Sequence, residues 1–128
     1  QSIESEENKR FVDAFKLEFG ANRVINDPME ATYIGVKLWA QAVKSSGSFD
    51  PLIIKNTLAY QSFNAPEGIV SVEAISQHLW KKVRIGQIRD DGQFDIVWVS
   101  ESPIRPTPFP SYRNKQEWLK RLGELEQR

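Results

Sequence analysis

Apolar residues recur at helical spacing through the first half of the chain. Phe11, Phe15 and Phe19 stand four residues apart and are followed by Gly20, which predicts a helix that ends there. Farther along, a second apolar stripe predicts a longer helix that ends at Gly47. The residues of this second stripe are Met29, Tyr33, Val36, Ala40 and Val43.

Both later helices have recognisable start signals. In the stretch NDPME, Asp27 is predicted to cap the helix and Pro28 to take its first helical position. Glu30 follows three residues after Asp27, the spacing of a capping box, in which its side chain would reach back to the cap's own N–H. Asp50 and Pro51 repeat the first two signals, so a third helix is predicted after a short loop.

The second half of the chain changes to a period of two. A Pro-Glu-Gly turn precedes a predicted strand at residues 69–72. Two alternating segments, 83–88 and 94–99, flank the turn sequence Asp90-Asp91-Gly92 and predict a β-hairpin. We therefore divide the chain into a polar lead-in (1–10), an α/β segment (11–100), and a Pro-rich extended tail with a terminal helix (101–128).

Composition narrows the function classes. A chain of 128 residues suits one compact domain, and 17 basic against 17 acidic residues argue against a nucleic-acid partner. Cysteine is absent, which excludes disulfides and thiolate catalysis. The sequence shows no membrane-spanning run and no secretory signal. Because it opens on Gln1 rather than Met, we expect a processed form or a piece of a longer protein.

No catalytic or metal-binding constellation stands out. His78 is the only histidine, no nucleophile motif surrounds the serines, and the acidic pair before Gly92 is typical of a turn. We therefore expect no catalytic residues, no metal and no cofactor. At the NDPME start, capping alone explains the residues. The alternative is that the free N–H groups of the helix start also bind a carbonyl or carboxylate, and the sequence leaves both open.

Four segments, taken in order, resemble a known family. DPMEATYIGVKLWAQAV, FNAPEGIVSVEA, QHLWKKVRIGQIRDDGQFDIVW and SPIRPTPFPSYRNKQEW are similar to the C-terminal part of the urea and short-chain-amide solute-binding proteins of ABC transporters. These receptors belong to the branched-chain-amino-acid-binding group. The resemblance implies an α/β fold that forms part of a type I periplasmic binding protein. It would contribute late helices of one lobe and a C-terminal β-hairpin, an incomplete two-lobed architecture.

The resemblance also implies a function. The chain would be the substrate-binding component of an ABC transporter for a small amide, urea or amino-acid-like solute, with a membrane permease as partner and a periplasmic or extracellular location. It would not be an enzyme. The helix start would then lie near the ligand cleft. The ligand-binding residues expected on this ground are Asp27, Pro28, Met29, Glu30 and Tyr33.

Two other functions and one assembly stay open at this point. The same fold serves as the sensing domain of signalling proteins such as histidine kinases, and the terminal helix could then continue into a linker. A small amide hydrolase would need a nucleophile and base that the sequence does not display. An incomplete lobe would also expose unpaired strand edges, so a homodimer is a possible assembly.

Overall fold

The computed structural model of the chain describes residues 1–126, which form four α-helices and five β-strands. In chain order these are α1 (Glu6–Phe19), α2 (Asp27–Ser46), α3 (Pro51–Leu58), β1 (Ser62–Ala65), β2 (Gly68–Val72), β3 (Leu79–Trp80), β4 (Arg84–Ile88), β5 (Phe94–Val99) and α4 (Lys115–Glu126). The last two residues of the tail predicted at 101–128 lie outside the described residues.

Helix α1 ends before Gly20, as predicted, but begins inside the segment predicted as a polar lead-in. The Ser5 hydroxyl accepts the N–H of Asn8 at 3.0 Å and caps the helix. Ser5 also donates to the carbonyl of Pro66 at 2.9 Å. The buried Asn8 amide donates to the carbonyl of Ile3 at 2.6 Å. These polar residues therefore anchor the N-terminal segment to the rest of the fold.

The cap of helix α2 is Asn26, and the prediction of Asp27 was wrong by one residue. Asn26 has extended backbone, and its side-chain oxygen accepts the N–H of Met29 at 3.1 Å. Asp27 and Pro28 are consequently the first two helical residues. The predicted capping box is also wrong, because Glu30 then lies one position too far along the helix to reach the N–H of the cap.

This shift of the cap gives a direct test. Replacing Asn26 by Ala is expected to cost about 1 kcal/mol of unfolding free energy, because a first-turn N–H loses its acceptor. Replacing Asp27 by Ala is expected to cost less than about 0.5 kcal/mol, because its side chain is exposed and its ion pair with Lys81 is long, at 3.6 Å. Urea denaturation of both variants measures the difference. A larger loss for the Asp27 variant would contradict the assignment of the cap.

The face of α2 that packs inside is not the predicted stripe. Ile34, Leu38 and Ala42 are buried at spacings of four residues, whereas Val36 and Trp39 are 59% and 45% exposed. The helix is apolar on more than one side, so periodicity alone does not select the buried face. Packing against the sheet makes that selection.

Strands β1, β2 and β3 form an antiparallel sheet in that order. Only β2 was predicted, because β1 and β3 are too short to show an alternating pattern. Phe63 pairs with Val70, and Ser71 with Trp80. Ala65 and Val70 pack against α2 to form the core. The turn between β1 and β2 includes Glu67, which is thereby brought close to the start of α2.

The predicted hairpin is confirmed as β4 and β5. Gly92 takes a φ of +75° in the turn, a conformation that glycine adopts without strain. Ile85 pairs with Trp98 and Ile88 with Phe94, and the register shifts after Ile85. The hairpin pairs with no other strand in the part of the chain that the structure describes, so its apolar side chains are largely exposed.

The Pro-rich tail is attached to the sheet at one place. Ile104 bridges to Lys81, and Arg105 pairs with Glu73 at 3.1 Å. The N–H and side chain of Ser76, assisted by Arg105, lower the pKa of Glu73 to about 2. Beyond this point the tail packs mainly on itself, with the indole N–H of Trp118 on α4 donating to the carbonyl of Pro110 at 3.2 Å.

Candidate functional site

A cavity of about 430 Å³ lies at the start of α2, between that helix, the N-terminal residues and the β4–β5 hairpin. This volume falls within the range of small-molecule sites. The lining residues are Gln1, Ser2, Ile3, Val24, Ile25, Asn26, Asp27, Glu30, Arg84, Gly86, Gly92, Gln93, Phe94 and Ile96. We call it the α2 cavity.

The walls of the α2 cavity are held together by contacts between distant segments. The N–H of Ile25 donates to the side-chain oxygen of Gln1 at 3.3 Å, and the N–H of Phe94 donates to the Ser2 hydroxyl at 3.3 Å. At the back of the hairpin, a Cβ on Gly86 would lie 3.0 Å from the Phe94 ring. Glycine at this position therefore lets the Phe94 ring lie close against β4.

A charged cluster stands behind the cavity and is centred on Glu67. This residue is 7% exposed, and its carboxylate lies 3.2 Å from the Lys81 ammonium and 3.9 Å from the Arg84 guanidinium. Arg84 also donates to the backbone carbonyl of Glu67. Lys81 reaches Asp27 as well, at 3.6 Å. Burial lowers the pKa of Lys81, but Glu67 and Asp27 outweigh that effect, so its pKa is raised overall.

Glu30 is the one member of this region with an unsatisfied buried atom. Its Oε1 is sealed from solvent and has no hydrogen-bond partner among residues 1–126. Burial raises the pKa of Glu30, and the nearby charge of Glu67 raises it further. The N–H of Glu67, Lys81 and the terminal ammonium of Gln1 offset part of this rise. One oxygen of the Glu30 carboxylate is therefore without a donor among residues 1–126, while the carboxylate as a whole interacts with the N–H of Glu67.

The structure brings two of the five expected ligand residues to the α2 cavity. Asp27 and Glu30 line it. Pro28 and Met29 lie on the exposed side of the first helical turn. Tyr33 packs instead between the rings of Phe11 and Phe63, with centroids 4.5 and 6.1 Å away, beside the core.

Three charged residues of this region were missed by sequence reasoning. Arg84 and Lys81 lie in a basic stretch that gave no local signal beyond strand alternation. Glu67 lies in a Pro-Glu-Gly turn, where an acidic residue is ordinarily solvent-exposed. Contacts across 14 and 17 residues of sequence bring them together, and no local pattern encodes such contacts.

Another concavity, of about 660 Å³, lies along the start of α1 and is larger than the α2 cavity. Its lining comes from a single segment, residues 1–13, and it brings together no distant parts of the chain. The α2 cavity unites three regions of the fold and is lined by two of the expected ligand residues, Asp27 and Glu30, so we regard it as the better candidate despite its smaller volume.

The single histidine and the acidic side chains of residues 1–126 do not cluster into a metal site. His78 is exposed, and its Nδ1 lies 2.8 Å from the carbonyl of Ser76, a local contact. Residues 1–126 contain no group of three or more His, Cys, Asp or Glu side chains that could hold a metal ion. None of the helices in that range is long and apolar enough to cross a membrane.

Comparison with known proteins finds a similar sequence in a hydroxylase and a similar fold in solved receptors. A limonene hydroxylase from Geobacillus stearothermophilus is 41% identical over 109 residues, which is 85% of this chain but 20% of that protein. A solute binding protein of an ABC transporter from Rhodopseudomonas palustris BisB5, solved with 3,4-dihydroxybenzoic acid, is 22% identical with a TM-score of 0.66. An amino acid ABC transporter substrate-binding protein from Pseudomonas fluorescens Pf-5 is 22% identical with a TM-score of 0.61.

The structural matches cover most of this chain but less than a third of each solved receptor. This chain is matched over 80% and 85% of its length by the two solved receptors, yet it spans 29% of each. At this level of identity the likeness shows the fold, and it confirms the expected α/β fold, part of a type I periplasmic binding protein. The protein family described as "Periplasmic binding protein domain" matches residues 1–115 of this chain. The chain therefore belongs to the periplasmic binding protein domain family.

Proposed function

We propose that the chain is part of the solute-binding component of an ABC transporter and takes a small amide, urea or amino-acid-like solute. The family match and the two solved receptors support a binding role. The observation that supports the ligand class is the α2 cavity, which is lined by Asp27 and Glu30. A membrane permease would receive the solute, and the protein would work in the periplasm or outside the cell.

Within this proposal, Asp27 and Glu30 make the polar contacts to the solute. Both lie on the first turn of α2 and line the α2 cavity. Met29, Pro28 and Tyr33 contribute indirectly, because they shape and pack the helix that carries the two carboxylates. Phe94, across the cavity, supplies an apolar wall. Ligand pockets commonly combine such apolar walls with few polar groups.

Binding in this proposal is noncovalent and leads to closure of the receptor around the solute. No chemistry is proposed, because the exposed His78 makes only a local contact to its own turn. The hydroxylase name of one relative describes a protein of which this chain spans 20%. Turnover of urea or acetamide by the purified chain would contradict a binding-only role.

Calorimetry with urea, acetamide and branched-chain amino acids tests the proposal. Because the chain spans 29% of each solved receptor, we expect it to provide only part of the ligand contacts. The expected result is saturable but weak binding, with dissociation constants well above roughly 1 μM, the level that corresponds to about −8.2 kcal/mol. Affinity at or below that level would contradict this partial-contact picture, and complete absence of binding would contradict the proposed function.

The sensing domain of a signalling protein is the alternative function, and helix α4 favours it. Leu119, Leu122 and Leu125 are each about half exposed, and α4 packs mainly on the Pro-rich segment before it. A helix with a free apolar face is suited to carry a signal to a following segment.

The unpaired edges of the β4–β5 hairpin are where a second copy would pair in the proposed homodimer.

A further inference from the structure

Helix α4 lies at the edge of the region that matches the family. The family match covers residues 1–115, and α4 spans Lys115–Glu126. The tail is attached to the sheet at Ile104 and Arg105, well before the helix begins. No role for α4 therefore follows from the family match, and its surface requires an explanation of its own.

Local contacts define the start of α4 and engage its carboxylates. The Asn114 side-chain oxygen accepts the N–H of Glu117 at 2.9 Å, and the Glu117 carboxylate accepts the N–H of Asn114 at 2.8 Å. This reciprocal pair is a capping box. Farther along, Glu124 pairs with Arg121 at 3.6 Å. Two of the three carboxylates of α4 are thus already held by groups at its start or within the helix.

One face of α4 is apolar and largely uncovered. Trp118, Leu122 and Leu125 follow one another at spacings of four and three residues, so they share a face of the helix. Leu122 and Leu125 are 49% and 51% exposed. At its start this face continues into Tyr112, whose ring centroid lies 5.2 Å from that of Trp118 and which is itself exposed.

Cations gather where this apolar face begins. From residue 102 to residue 116 the chain contains three basic residues and no acidic one. Arg113 lies 5.2 Å from the centre of the Trp118 ring, and Lys115 lies 5.7 Å from the centre of the Phe109 ring. Unlike Arg105, neither of these two cations takes part in an ion pair among residues 1–126.

An anionic lipid surface fits this combination better than a second copy of the chain. A paired α4 would bring the same two cations toward the contact, and its 12 residues are fewer than two heptads, which is short for a coiled coil. A membrane surface accommodates leucines at the acyl boundary and aromatic rings at the level of the headgroups. Its negative charge attracts unpaired basic side chains.

We propose that α4, together with the aromatic and basic residues just before it, binds along the surface of an anionic membrane. The leucine face enters the acyl boundary, the Tyr112 and Trp118 rings lie among the headgroups, and Arg113 and Lys115 pair with lipid phosphates. The Pro-rich segment then tethers the binding domain to the membrane surface. This inference goes beyond the proposed function and does not depend on which solute binds.

Sedimentation with lipid vesicles tests the proposal on the complete chain. We expect binding to vesicles of phosphatidylcholine mixed with phosphatidylglycerol to be at least about tenfold tighter than to phosphatidylcholine alone, and to weaken as salt is added. Leu122→Gln/Leu125→Gln should bind the mixed vesicles at least about tenfold more weakly, because apolar contact with the acyl boundary is lost. Arg113→Gln/Lys115→Gln should lose most of the preference for the mixed vesicles.

The matched controls are Val36→Gln and Lys44→Gln/Lys55→Gln, which make the same kinds of change at exposed positions on α2 and α3. They should bind both kinds of vesicle as the unchanged chain does. Urea denaturation shows whether each variant remains folded.

Failure of the unchanged chain to sediment with the mixed vesicles would overturn the proposal, as would equal binding to both lipid compositions or full binding by the leucine variant. Self-association that the leucine variant abolishes, without binding to vesicles, would assign α4 to a second copy instead. Solute binding measured by calorimetry should be the same in all variants, so each of these outcomes leaves the proposed function standing.

Discussion

Replacing Ile34 by Ala is expected to destabilise the chain by about 2–5 kcal/mol, the range for large-to-small changes in a packed core. Ile34 is 1% exposed and packs with Leu38, Ala65 and Val70 where α2 meets the sheet. The change removes apolar contacts and leaves a cavity that the rigid sheet cannot fill. Urea denaturation, with the free energy extrapolated to water, measures the loss.

Val36→Ala is the matched control on the same helix. The sequence pattern places Val36 in the buried stripe, but the structure leaves it 59% exposed. The expected change is within about 0.5 kcal/mol, as for most surface substitutions. Equal losses for the two variants would show that the packed face of α2 is assigned wrongly.

Replacing Glu67 by Ala is expected to cost about 2–4 kcal/mol. The change leaves Lys81 and Arg84 without their buried partner, and removing one member of a buried ion pair costs about 3–5 kcal/mol. The expected loss is placed somewhat lower because Lys81 is partly exposed to solvent, which screens its charge. Denaturant unfolding at neutral pH measures it.

Glu101→Ala serves as the control for this variant, since Glu101 is exposed. It should change the unfolding free energy by less than about 0.5 kcal/mol. A similarly small change for Glu67→Ala would show that the charged cluster behind the α2 cavity contributes nothing to the fold, and would remove the basis for its role in holding Arg84 and Lys81.

Local chemistry predicted much of the fold. The Asp50 cap is confirmed, since its carboxylate accepts the N–H groups of Leu52 and Ile53. The glycine that ends α2 at Gly47 and the turn glycine Gly92 take positive φ, as their positions require. These features depend on a few neighbouring residues, so a sequence displays them directly.

Errors arose where two local solutions were equally good or where the signal was short. Asn26 and Asp27 are both strong caps, and extended backbone at Asn26 decides between them. Likewise, α2 carries two apolar faces, and the sheet decides which is buried. Strands β1 and β3, with four and two residues, are set by pairing to β2 rather than by their own pattern.

The candidate site, like the fold, was only partly predictable from local sequence. The resemblance to a family predicts ligand residues at the start of α2, and two of them, Asp27 and Glu30, line the cavity there. The partners that define its chemistry, Arg84 and Glu67, come from the hairpin and from a turn. Their meeting depends on the fold as a whole, and so does the burial of Glu30 Oε1 without a hydrogen-bond partner among residues 1–126.

Mapping where a solute binds tests the assignment of the α2 cavity most directly. Acetamide and L-leucine are titrated into the ¹⁵N-labelled chain, and amide chemical shifts are followed residue by residue. We predict saturable shifts concentrated at Asn26–Glu30, at Arg84 and at Phe94. Shifts confined to other surfaces, such as the concavity along residues 1–13, or no shifts at saturating solute, would contradict a ligand site at the start of α2.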